Sequence, residues 1–205
     1  MSYLEKYKWE LIPKNLPTVK RNCPKCNEKT HYINSEKFRV NANKNNIDVW
    51  LIYQCEKCKS TWNMTIYERV NPCNINKNEY EKFLSNDREL AREYAFNLSI
   101  YSKNKAEVVL ENINYELVKR KLDKSYQNED EIIIELVCKY PAEMRIDKLL
   151  GDILGISRSK IKSMHKKGLI FVEDHEKSLN VKIKDGMKIH VLKSIESEEV
   201  LEAIV

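Results

Sequence analysis

The sequence predicts an α+β protein: an N-terminal antiparallel ribbon, a mixed helical and β middle segment, and a C-terminal pair of helices on a small sheet. Three observations carry this. Two Cys-x-x-Cys pairs frame an alternating, strand-like stretch early in the chain. Helical periodicity recurs after residue 74, followed by β-branched runs. Near the C-terminus, two amphipathic helical stretches are split by Gly155-Ile156-Ser157. The expected divisions are 1–73 for the ribbon, 74–143 for the mixed segment packing on it, 144–193 for the helical module, and 194–205 for an acidic tail that can form a short helix.

In the first block, "KFRV" is short and extended, and "NANKNN" is turn-like by composition. "IDVWLIYQC" then alternates with two largely apolar faces, Val49, Leu51 and Tyr53 against Trp50 and Ile52, as a central strand does. "TWNMTIYER" alternates again, so an antiparallel meander is expected. In the second block, Asp87 is placed to cap a helix whose face carries Leu90, Tyr94, Leu98 and Tyr101. "NINYELV" and "EIIIELVCK" read as strands, and Asp123 to Glu131 as a polar loop.

Cys23-Pro24-Lys25-Cys26 and Cys55-Glu56-Lys57-Cys58 are matched pairs. Each Cys-x-x-Cys turn can present two thiolates to one ion, and two such turns complete a tetrahedral four-sulfur shell, which suits zinc. A closed shell leaves no position for water, so one structural Zn2+ per chain is expected, with Cys23, Cys26, Cys55 and Cys58 as ligands. Four thiolates leave no need for His31. Cys73 and Cys138 are expected to be small buried apolar residues. No apolar run of about 18 residues and no secretory leader pattern point to a cytoplasmic protein without membrane contact, where six cysteines argue for metal before disulfides.

The chain's net charge is only +5. Its distribution matters more: Arg145 to Lys193 holds twelve Lys and Arg against six Asp and Glu, which exceeds the excess of the whole chain. Ile146, Leu149, Leu150, Ile153 and Leu154 give the first helix one apolar face, Gly155 can end it, and Ser157 can cap the second. In the second helix Ile161 and Met164 face inward. Arg158, Lys162 and Lys166 recur at one-turn intervals on the outside, extended by Ser159, Ser163 and Lys167, with Arg145 and Lys148 adjoining.

"RIDKLLGDILGISRSKIKSMHKKGLIFV", followed by "VKIKDGMKIHVL", resembles the S-four-type RNA-binding domain. The likeness rests on Arg145 and Asp147 before Leu149-Leu150, on Ser157-Arg158-Ser159, and on Gly168 and Gly186. It departs at Glu173-Asp174-His175 and at Gly186-Met187. The resemblance implies two helices on a small sheet whose basic surface grips structured ribosomal or transfer RNA, or ribosomal particles. Arg145, Ser157, Arg158, Ser159, Lys162 and Lys166 would be in contact with it, and the outward stripe adds Lys148 and Lys167. The stretch from Trp9 through the helical block, with "CPKC", "KFRVNANKNNIDVWLIYQC" and "TWNMTIYERV", resembles an uncharacterised bacterial domain-of-unknown-function family with a zinc ribbon. That likeness implies no activity. No Gly-rich phosphate loop or nucleophile motif is present, so the expected function is non-catalytic RNA binding. The alternatives are a scaffold that docks a protein partner at the ribbon, through the exposed part of "FRVNANKNNIDVW", and an RNA-modifying enzyme not recognisable from motifs.

Overall fold

The computed structural model describes residues 5–122, 131–175, 178–194 and 198–204. The chain divides into two compact units, one of Asn15–Ile113 and one of Met1–Lys14 with Asn114–Val205. Each unit has its own five-stranded sheet and its own hydrophobic core. The predicted α+β class, with a ribbon, a mixed segment and a C-terminal pair of helices on a small sheet, is therefore corrected: the described residues are mostly β, in two five-stranded sheets. The Glu131 end of the predicted 123–131 loop begins a strand, and the rest lies outside the described residues.

The correction starts at β1 (Glu5–Pro13), which does not join the ribbon. Tyr7, Trp9 and Leu11 alternate on one face of this strand and are all buried, so the strand needs a covering layer. It lies between β7 (Tyr115–Lys121), antiparallel, and β8 (Glu131–Val137), parallel. The same sheet continues through β10 (Lys188–Leu192) to β9 (Ile170–Val172), both antiparallel. The C-terminal strands thus extend a larger sheet and do not close a small one of their own.

One face of this sheet is covered by α4 (Ile146–Leu154), α5 (Arg158–Lys166) and α6 (Glu198–Ile204). Ile146, Leu149, Leu150 and Leu154 bury the inner face of α4, and Ile161 and Met164 that of α5. Gly155 ends α4 at φ 64°, and the Ser157 hydroxyl accepts from the Lys160 amide at 3.2 Å to start α5. Gly151 lets the two helices approach: a Cβ there would stand 3.2 Å from the Ile156 carbonyl oxygen. In the segment read as an acidic tail, α6 buries Val200 and Ile204, while Trp9 donates its indole N–H to the Ile204 carbonyl at 3.3 Å.

The other unit orders its strands β5 (Thr61–Val70), β4 (Asn46–Cys55), β3 (Glu28–Asn43), β2 (Thr18–Cys23) and β6 (Glu107–Val109), all antiparallel. The "KFRV" stretch is part of one 16-residue strand. The predicted six-residue turn narrows to Lys44 and Asn45, with Lys44 at φ 55°. A 3-10 turn, Pro72–Asn74, leads to α1 (Lys77–Ser85), α2 (Arg88–Phe96) and α3 (Leu98–Lys103), which cover the face bearing Val49, Leu51, Tyr53 and Met64. Asp87 caps α2 through the Leu90 amide at 2.8 Å. The expected single helix breaks at Asn97, whose extended backbone (ψ 94°) rotates Leu98 off the buried face, leaving it 40% exposed. Asn104 clasps the outer edge of β5, accepting from the Thr65 amide at 2.8 Å and donating to its carbonyl at 2.9 Å. Among the described residues no helix is long and apolar enough to cross a membrane.

Candidate metal centre and basic helix face

The two cysteine knuckles are built alike. Cys23 closes β2 and Cys55 closes β4, so each strand delivers its last residue to the same end of the sheet. The chain then turns back on itself: the Asn27 amide donates to the Cys23 carbonyl at 2.8 Å, and the Lys59 amide to that of Cys55 at 3.0 Å. Asn27 (φ 57°) and Lys59 (φ 62°) take the left-handed conformation immediately after the second cysteine of each pair. The register pairs Tyr32 with Cys55 and Cys23 with Glu28, which brings the two turns together across β3.

Four sulfurs result, all within 4.8 Å of one another. Cys23 and Cys58 sulfurs are 3.5 Å apart, and those of Cys26 and Cys55 3.9 Å. A tetrahedral ion with bonds of about 2.3 Å holds its sulfurs about 3.8 Å apart, so the cluster has the dimensions of a four-thiolate shell. The cluster can hold a metal ion. Hydroxyls surround it: Ser60 lies 3.3 Å from the Cys23 sulfur and 3.1 Å from that of Cys58, and Thr30 lies 3.3 Å from that of Cys55. Hydrogen bonds from Ser60 and then Tyr32 bring Cys23 down to about 5, whereas the neighbouring Cys58 and then burial push Cys26 up to about 12. Crowded thiols divide protons this way; a bound cation displaces the remaining protons.

His31 lies outside this cluster, with Nδ1 3.2 Å from the Thr18 hydroxyl. Cys138 is buried as expected, and burial raises its thiol to about 11. Cys73 is instead exposed, because it sits in the 3-10 turn, which buries no residue.

The predicted basic residues fall into two groups. Lys148, Lys162, Lys166 and Lys167 are exposed on α4, α5 and the end of α5, as are Ser157 and Ser159. Among the described residues, no carboxylate is in ion-pair range of these four lysines or of Lys160, a fifth exposed lysine that the periodicity did not single out. Arg145 and Arg158 instead converge on Asp147, which is fully buried. Arg145 donates from Nε and Nη2 at 3.1 and 3.0 Å, and Arg158 from the same two atoms at 3.2 and 2.8 Å. The two guanidiniums keep 39% and 47% of their side-chain surface, so they join α4 to α5 and still face solvent.

The sequence profile of a family described as "Protein of unknown function (DUF1062)" matches residues 40–176, well over half of the chain. Nothing matches among curated proteins or among solved structures.

Proposed function

The chain belongs to the DUF1062 family, and from that starting point we propose that it is a cytosolic, non-catalytic RNA-binding protein carrying one structural zinc. The observation that carries the RNA reading is the set of exposed lysines on α4 and α5, without a carboxylate partner among the described residues, on helices joined by the buried Asp147 and its two arginines. Lysines one helical turn apart, about 6 Å along the axis, suit successive phosphates of a folded polyanion. The likeness of residues 145–172 to S-four-type segments supports the same ligand. Three of the residues expected to meet RNA are engaged within the protein. Arg145 and Arg158 spend two donors each on Asp147, so they offer only their remaining N–H groups, and Lys148, Lys162, Lys166 and Lys167 supply most of the positive field. Ser157 uses its hydroxyl on the Lys160 amide and on Ser159, at 3.2 and 2.9 Å. It therefore contributes less to RNA than the lysines do.

Zinc is the reading best suited to four thiolates at these distances with hydroxyl donors around them. Two experiments test the proposal. Metal analysis of the purified protein should give about one zinc per chain. Binding to a structured ribosomal RNA fragment should weaken steeply with salt, with a log–log slope steeper than about −2 for three or more phosphate contacts. Affinity indifferent to salt would contradict the RNA reading.

A further inference from the structure

We infer that Arg21 is the counter-charge of the metal centre, a positioning residue that steadies the thiolates around the ion; the inference rests on the zinc reading above. A divalent ion with four thiolates has a net charge of −2, and two of its sulfurs, those of Cys23 and Cys55, are buried here. Hydroxyl dipoles from Ser60 and Thr30 temper that charge but do not balance it.

The knuckle lysines are poorly placed to do so. Lys25, Lys57 and Lys59 are exposed, and Lys57 already pairs with Glu28 at 2.6 Å. Arg21 is only partly exposed and lies two residues before Cys23 on β2, so strand alternation puts both on one face of the sheet. Its cross-strand partner is Thr30, the residue whose hydroxyl meets the Cys55 sulfur. The guanidinium is held by two rings: its carbon is 4.3 Å from the centre of Trp62 and 5.7 Å from that of Tyr32. Among the described residues no carboxylate forms an ion pair with it. A planar cation stacked on aromatics is weakly hydrated, and its field is less screened than that of an exposed lysine.

The test uses the full chain loaded with metal. Zinc affinity is measured by competition with a chromogenic chelator for the parent, Arg21→Met, Arg21→Lys and Lys25→Met. Arg21→Met is expected to bind zinc more weakly by on the order of tenfold, the usual size of an outer-shell effect. Arg21→Lys should recover part of the loss, and Lys25→Met should stay within about twofold of the parent, as an exposed charge should. With Co2+ in place of zinc, the sulfur-to-cobalt charge-transfer bands of Arg21→Met should move to lower energy, because sulfur electrons are held less tightly without the cation. Arg21→Gln serves the same purpose should the Met variant not fold. Parent-like affinity with unshifted bands would overturn the assignment, as would an equal loss in Lys25→Met. A parent protein that binds neither zinc nor cobalt would instead remove the zinc reading itself.

Discussion

Asp147 shows how one side chain can set the character of a surface. Its carboxylate is fully buried and takes four N–H donors from Arg145 and Arg158, which come from the start of α4 and the start of α5. Replacing it with asparagine should cost about 1.5–3 kcal/mol by urea denaturation, the range for hydrogen bonds to charged groups. The loss should fall short of that for a wholly buried pair, because water can reach both arginines. A parent-like midpoint would mean that the triad does not join the helices. The sequence displays these arginines as members of an outward stripe, and the helical spacing is right. What it cannot display is the 11-residue separation of Asp147 and Arg158 closing across the Gly155 turn. At the other end of the same unit, hydrogen bonds from Lys121 and Tyr7 hold the Glu5 carboxyl at about 2. A depressed carboxylate stabilises the fold above its unfolded value, near 4.5, and that contribution disappears as pH falls from there through about 2. Glu5→Gln should therefore be less stable than the parent at pH 6 and converge with it near pH 2 in urea titrations.

Elements whose identity rests on local chemistry were legible. The cysteine knuckles, the strands at 46–55 and 61–70, the caps at Asp87 and Ser157, and the two helices around Gly155 all stand where spacing and capping chemistry put them. Two elements were given the wrong packing because their partners are distant. The alternation of Tyr7, Trp9 and Leu11 marks a strand, but nothing local says that it pairs with residues beyond 114. The closing residues look acidic, yet Val200 and Ile204 are spaced to bury one face of a helix. The Asn97 break was invisible because asparagine fits both a helix surface and a cap. This predicts that the last helix is structural. Ile204→Ala should destabilise the unit by about 2 kcal/mol, the low end for such truncations. A change below about 0.5 kcal/mol would show that α6 is dispensable.

Two units with separate cores make the whole molecule modular in stability. The metal centre belongs to residues 15–113 alone, so its binding energy supports that core and not the other. Chelation should therefore strip hydrogen-exchange protection from β2, β4 and β5 while β8 and β10 keep theirs; uniform loss would mean that the chain unfolds as one. The proposed RNA face lies wholly in the unit without the cysteine cluster, where acidic residues outside 145–193 offset most of the basic excess of that stretch, so the net charge of +5 conceals it. The most direct test of the account is ultraviolet crosslinking of the protein to RNA in cells, followed by mass spectrometry of the crosslinked peptides. Crosslinks should concentrate between Arg145 and Gly168 and be lost when Lys162 and Lys166 are both replaced by alanine. Crosslinks confined to residues 15–113, or none above background, would contradict it.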